Sequence, residues 1–340
     1  MKNVILLLAL CFFIQSCTTT PSSPPEQKAV ALIFDTDFGG DADDLGALAM
    51  LHHFVDQGEC DLMAVMCWSL ETHAVAGIDA VNHYYGHPDI PIGARQGATS
   101  STDWNYSQSI ASSFPHDLDH QSAEDATVLY RKLLAQSEDS SVLIVTVGPL
   151  MNIQLLLQSA ADSISPLNGK ELIERKVKEV VIMGGQFPSG EKEWNFDGDM
   201  PGVTQFVLEQ LRVPIVFSGY EVGLVIRTGA VFNELDPATP LYVGFKYFSE
   251  HAPWIKENYQ GKILDNATYD QTAVLYAVKG GLGKYWTKVE GGYCQADSIG
   301  GNEWISGTVS NHSYLKLLMD TEELAGIIES MMMGRSAKEG

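Results

Sequence analysis

The sequence predicts an α/β protein with a doubly wound, mainly parallel central sheet flanked by helices and a helix-rich C-terminal cap. Two observations carry this. From residue 29 onward, short apolar runs alternate with longer segments of helical period. Several of those runs end in residues that let the chain turn sharply, as in Val147-Gly148-Pro149, Met183-Gly184-Gly185 and Ser218-Gly219-Tyr220. Strands are expected at Ala29 to Phe34, Leu62 to Cys67, Ile90 to Ile92, Val142 to Val147, Val177 to Met183 and Val213 to Phe217. Helices are expected between them, at Leu45 to Phe54, Thr72 to Tyr85, Ala123 to Ala135, Leu150 to Ser159 and Gly202 to Leu211. The stretch from Leu235 to Val278 reads as the helical cap, with five aromatics between Tyr242 and Trp254. With no internal repeat and no second linker, residues 29–335 are read as one domain.

The chain has 340 residues and a formal net charge of -22, without an acidic tail. Binding to a phosphate backbone needs basic patches, so a nucleic acid polymer is excluded as a partner. The N-terminus carries Lys2, an apolar run from Val4 to Ile14, and then Gln15-Ser16-Cys17. This reads as an export signal over residues 1–17, too short for a membrane span. A small residue before a cysteine at its end resembles a bacterial lipoprotein cleavage site, with a lipid anchor at Cys17. A periplasmic or cell-surface lipoprotein is therefore expected, with residues 18–28, rich in Thr, Ser and Pro, as a flexible tether. Beyond Cys17 only Cys60, Cys67 and Cys294 remain, too few for a disulfide framework and without the spacing of a zinc site.

The most informative stretch is the run of five aspartates, Asp35, Asp37, Asp41, Asp43 and Asp44, between the first strand and the first helix. Carboxylates so close repel one another unless protons, basic side chains or a metal ion neutralise them. No Lys or Arg lies between Lys28 and Arg95, so a hard divalent cation is the simplest answer, and Ca²⁺ accepts several carboxylates at once. In a doubly wound sheet ligands bind beyond the carboxyl ends of the strands, where this run sits. An EF-hand is excluded, because the twelfth position is Gly46 counted from Asp35 and Leu48 counted from Asp37. A Mg²⁺-dependent phosphohydrolase with an aspartate nucleophile would use Asp35 or Asp37, yet position 39 is Gly where such sites carry Thr or Val.

The segment from Asp35 to Leu48 resembles the N-terminal signature of the inosine-uridine-preferring nucleoside hydrolases, Asp-x-Asp-x-Gly-x-Asp-Asp-Ala. Further similarities follow in order. They are Val147-Gly148-Pro149-Leu150-Met151-Asn152, Met183-Gly184-Gly185, Glu193-Trp194-Asn195 with Asp199, and Tyr269-Asp270-Gln271-Thr272-Ala273. The resemblance implies Ca²⁺-dependent hydrolysis of the N-glycosidic bond of a ribonucleoside or related ribosyl compound, by a metal-bound water activated by an aspartate. It implies one Ca²⁺ held by Asp37, Asp44, the main-chain oxygen of Val147, and Asp270. Glu193 and Asn195 would hold sugar hydroxyls, and a homodimer or homotetramer is implied.

The departures from the family pattern are local. Two extra residues in the first motif leave the water-activating role to Asp43, which keeps the Asp-Asp pair, or to Asp41, which keeps the spacing from Asp37. The family His before the last aspartate is Tyr269 here, a candidate proton donor through its hydroxyl. Trp68 and Ser69 replace a Gly-Asn pair. Trp68, Trp194, Tyr220, Trp254 and Tyr269 are candidates to stack a base or to fill the core. Glu221 and Asp199 are candidate substrate contacts, or else residues of helix first turns. Asp35 would orient ligands from behind. A non-catalytic calcium-dependent nucleoside- or sugar-binding lipoprotein is the alternative from another class.

Overall fold

The computed structural model describes residues 28–307 and 310–334. The expected signal and lipid anchor, and the tether up to residue 27, lie outside them. The first half alternates strand and helix: β1 (Val30–Thr36), α1 (Asp43–Asp56), β2 (Cys60–Cys67), α2 (Ala74–Tyr84), β3 (Ile92–Ala94), α3 (Ser107–Ser113), β4 (Glu124–Asp125), α4 (Ala126–Gln136), β5 (Val142–Thr146), α5 (Met151–Gln158), α6 (Gly169–Lys176) and β6 (Val177–Met183). There follow β7 (Ser189–Gly190), α7 (Trp194–Asp197), α8 (Val203–Gln210), β8 (Ile215–Ser218), α9 (Tyr220–Leu224), β9 (Arg227–Thr228), α10 (Pro240–His251), β10 (Asn266–Ala267) and α11 (Tyr269–Lys279). Four strands, β11 (Trp286–Val289), β12 (Gly292–Ala296), β13 (Asn302–Ser306) and β14 (His312–Leu317), precede α12 (Thr321–Met332).

Nine strands form the central sheet in the order β11-β14-β8-β6-β5-β1-β2-β3-β4. Every neighbouring pair is parallel except β11 with β14. The period of two along β1 explains the layering. Leu32 and Phe34 face a core shared with α1, α2, α10, α11 and α12, while Ile33 faces a second core shared with α4, α5, α6 and α8. Both faces of the strand are therefore covered, which is why the run is apolar throughout.

Several boundaries differ from expectation. The third strand lies two residues later, at Ile92–Ala94, and α4 starts at Ala126 because the Asp125 carboxylate accepts the Val128 N–H at 3.0 Å as a cap. The expected cap divides into two parts that pack differently. Within it, α10 packs on α1 and α3, but α11 lies against α1 and the sheet itself. Strands β11 to β14 were not expected, and two of them extend the central sheet. No helix among the described residues is long and apolar enough to cross a membrane.

Strand β1 is flanked by β2 and β5, and from it the chain winds outward in both directions. The crevice beyond the ends of β1 and β5 is the switch point where such sheets bind ligands.

Candidate active site

The aspartate run crosses this switch point. Asp35, still in β1, is buried beneath it, accepting the Tyr130 hydroxyl at 2.8 Å and the Asn152 amide at 3.0 Å. Burial pushes its pKa up to about 7. After β1 the chain turns, and Asp43 and Asp44 open the first turn of α1. Asp270 opens the first turn of α11, so two helix N-termini meet here, where their dipoles favour negative charge. The Asp270 N–H points at Asp43 at 3.4 Å, and the Thr36 hydroxyl donates to Asp44. Asp41 accepts from the side-chain amide of Asn266.

One oxygen from each of Asp43, Asp44 and Asp270 lies within 4.8 Å of the others. All three are buried, and burial followed by mutual repulsion raises their pKa values well above the usual carboxylate range. Among the described residues, Lys192 is the one cationic side chain lining the cavity, and it is paired with Asp197 at 2.8 Å. Three converging hard oxygen donors without a basic partner fit a divalent cation of the calcium or magnesium type. Asp37, expected among the ligands, stands beside this trio and accepts the Trp194 indole N–H at 2.9 Å. Its pKa is pushed up to about 6, chiefly by burial.

The opposite wall comes from the ends of β5 and β6. A Cβ on Gly148 would fall 2.9 Å from both the backbone nitrogen and Cβ of Asp37, so only glycine lets β5 turn this close to β1. The Val147 carbonyl accepts the Asn195 side-chain amide at 2.8 Å, and the same amide donates to the Met183 carbonyl at 3.1 Å. Glu193 caps α7. Its carboxylate accepts backbone N–H groups from Gly185 at 2.9 Å and from Asn195 and Phe196 at 3.1 Å each. Burial raises its pKa to about 7 against the effect of these bonds.

Asp37, Asp41, Asp43, Asp44, Val147, Met183, Glu193, Asn195 and Asp270 line a cavity of about 650 Å³. Its walls also carry six aromatic side chains, those of Trp68, Trp104, Trp194, Tyr220, Trp254 and Tyr269. Trp68 is buried with the Arg95 guanidinium 4.5 Å from its ring centre, and it meets Trp194 edge-on at 6.5 Å. Tyr220 and Tyr269 stack at 5.2 Å, and Trp104 meets Trp254 at 5.2 Å.

Two expected contacts are absent from the cavity lining. Asp199 is exposed with φ 53, held in the turn before α8 and facing solvent. Glu221 turns away, and its carboxylate accepts the Phe187 N–H at 3.0 Å, tying the loop after β6 to α9. Trp104, Asn105, Gln186 and Lys192 line the cavity, and Asn266 holds Asp41, yet none was expected. Asn266 lies four residues before Asp270, the one positional hint among them.

A family model described as inosine-uridine preferring nucleoside hydrolase matches residues 32–317. No curated protein sequence matches the chain. Among solved structures it is similar to a purine-preferring ribonucleoside hydrolase from Gardnerella vaginalis, with TM-score 0.66 and 16% identity over 89% of this chain and 98% of that one. An inosine-uridine preferring nucleoside hydrolase from Bacillus anthracis gives TM-score 0.63 and 15% identity over 90% and 99%. An inosine-guanosine nucleoside hydrolase gives 0.66 and 17% over 90% and 99%. At such identities the likeness is one of fold, and the family match carries the assignment. The chain belongs to the inosine-uridine preferring nucleoside hydrolases, metal-dependent N-glycosyl hydrolases that act on small ribosyl compounds.

Proposed function

We propose that this enzyme hydrolyses the N-glycosidic bond of a ribonucleoside or related ribosyl compound with Ca²⁺ as its metal. The observation that carries the reading is the convergence of Asp43, Asp44 and Asp270 within 4.8 Å at two helix N-termini. These carboxylates and the main-chain oxygen of Val147 would hold the ion. A donor set rich in carboxylate suits Ca²⁺, which takes six to eight oxygens, better than Mg²⁺. When bound, the ion supplies positive charge that grips a ribose diol and makes a water more acidic.

The remaining steps belong to the side chains. Asp37, beside the trio and fixed by the Trp194 N–H at 2.9 Å, takes the proton of the attacking water. This exchanges the roles that the sequence suggests for Asp37 and Asp43. Asp41, held by Asn266, adds negative charge that favours the oxocarbenium-like transition state. Asn195 stays beside the Val147 oxygen, and Glu193 keeps lone-pair capacity for a sugar hydroxyl beyond the three N–H groups it accepts.

Ribose release from a nucleoside panel tests the reading. Activity that disappears with chelator and returns with Ca²⁺ but not Mg²⁺ is the expected result. Tight ribose binding without turnover would instead favour a receptor, and phosphate release from a generic ester a phosphohydrolase.

We also propose export and lipid attachment at Cys17. Incorporation of a fatty-acid label that is lost in Cys17→Ser is the check. A homodimer or homotetramer would appear as a multiple of the monomer mass in light scattering.

A further inference from the structure

We propose that Asn105 is a specificity-determining residue, donating its side-chain NH₂ to a carbonyl oxygen or ring nitrogen of the leaving base, and that Glu71 positions it through Ser107. This rests on the hydrolase reading above and concerns only the part of the cavity that faces the base. Asn105 lines the cavity and is 6% exposed. Its Oδ1 accepts the Ser107 N–H at 2.9 Å, which occupies the acceptor end of the amide, and among the described residues no group accepts from the NH₂. A buried donor without a partner is costly, and a ligand that brings an acceptor removes the cost. The carboxylates lining the same cavity are acceptors, suited to the hydroxyls of a ribose. Asn105 offers the opposite polarity, and it follows Trp104, whose ring meets Trp254 at 5.2 Å. Flat rings pack on such walls, and the edge of a base carries acceptors.

The amide is held from two sides. On one, a Cβ at Gly39 would overlap the Asn105 carboxamide, so glycine in the aspartate run lets the two segments meet, and the Gly39 carbonyl accepts the Tyr106 N–H at 3.0 Å. On the other stands Ser107, fully buried at the start of α3, whose hydroxyl donates to the Glu71 carboxylate.

Glu71 is itself buried but does not line the cavity, so its part is one of positioning. Its carboxylate also accepts the His73 N–H at 2.7 Å, and His73 Nδ1 lies 3.3 Å from the second oxygen. The backbone on either side is fixed to the loop that leads to Asn105, with the Thr72 N–H donating to the Ser100 carbonyl and the Ser100 N–H to the Leu70 carbonyl, each at 3.0 Å. One carboxylate thus ties the segment after β2 to the segment that opens α3. Asn105 hangs from that tie, with its free NH₂ fixed in direction.

The test is the calorimetric affinity of the calcium-loaded protein for ligands without a bond to hydrolyse: ribose, and the C-nucleosides 9-deazainosine and pseudouridine, whose bases keep carbonyl oxygens. Asn105→Ala is expected to weaken both C-nucleosides about tenfold and to leave ribose unchanged. Ser107→Ala should weaken them too, with no further loss when combined with Asn105→Ala, because both act on one interaction. Glu71→Gln, which still offers an oxygen to Ser107 and to the His73 N–H, should bind like wild type, whereas Glu71→Ala should bind like Ser107→Ala; if Glu71→Ala does not fold, the double variant decides. Unchanged C-nucleoside affinity in Asn105→Ala, or an equal loss for ribose, overturns the contact with the base, and an additive loss in the double variant overturns the positioning role of Glu71. Wild type that binds neither C-nucleoside overturns the whole proposal, and ribose release from inosine by the same protein then shows separately whether the hydrolase reading stands.

Discussion

The indole N–H of Trp194 donates to Asp37 across 2.9 Å, which joins a half-exposed ring of the cavity wall to the carboxylate at the end of β1. A Phe at this position would keep the ring but could not donate. Trp194→Phe is therefore expected to lower kcat by about tenfold, the lower range for a hydrogen bond to a charged acceptor, with little change in KM. Steady-state kinetics of the variant check this, and an unchanged kcat would separate Asp37 from proton transfer.

Ligand and proton acceptor are distinguishable by substitution. Asp44→Asn and Asp270→Asn are expected to abolish the rise in melting temperature that Ca²⁺ produces, because binding to the folded state alone is what stabilises it. Asp37→Asn should keep most of that rise while losing about 100-fold or more in kcat. Scanning fluorimetry across a calcium titration, paired with rates, reads both.

Gly148→Ala places a methyl 2.9 Å from the backbone and Cβ of Asp37. Overpacking of this kind costs about 1–3 kcal/mol. Because the strain falls on Asp37, activity should drop further than global stability in urea denaturation accounts for.

His52 gives a prediction about pH. It is buried in α1 between neighbouring rings, with Tyr85 at 4.8 Å and His87 at 5.3 Å, and Nε2 lies 2.9 Å from the Asn82 side-chain oxygen. Burial, assisted by His87, pushes its pKa from 6.5 down to about 3. Below pH 6.5 the unfolded chain takes up a proton that the folded form refuses. The stabilising contribution is thus complete above pH 6.5 and is lost progressively as pH falls toward 3. Between pH 7 and 5 the loss attributable to this residue is about 2 kcal/mol. The carboxylates of the site act in the opposite direction, so the test compares wild type with His52→Gln in urea at both pH values. The variant should lose less stability than wild type.

Strands β1, β2, β5 and β6 were legible because each is an apolar run buried on both faces, and the aspartates were legible because nothing nearby neutralises them. Glu193, Asn195 and Asp270 were found through motifs, and the fold does bring all three to the end of the sheet where the aspartates lie. Trp104 and Asn105 were not, since they sit in a turn and loop whose sequence has no period, and Asn266 was not, since it lies in a two-residue strand, too short to show an alternation, that is placed by pairing with the distant Thr228. Strand-end position did not show that Glu221 faces the Phe187 N–H rather than the cavity. The sequence of β14 conceals its place, because His312 and Ser313 look polar although both are buried in the sheet.

That late strand also bears on how the chain acquires its structure. Strand β8 pairs with β6 on one side, and among the described residues its other edge is met by residues 311–314. Until those residues have been synthesised, β8 presents an unpaired edge, and such edges recruit other strands. Completion of the sheet is therefore a late, non-local event, slow by its topology. The sheet cannot close until His312 has returned to Ile215 across the whole intervening chain, so the open β8 edge is a hazard that persists until that one distant pairing forms.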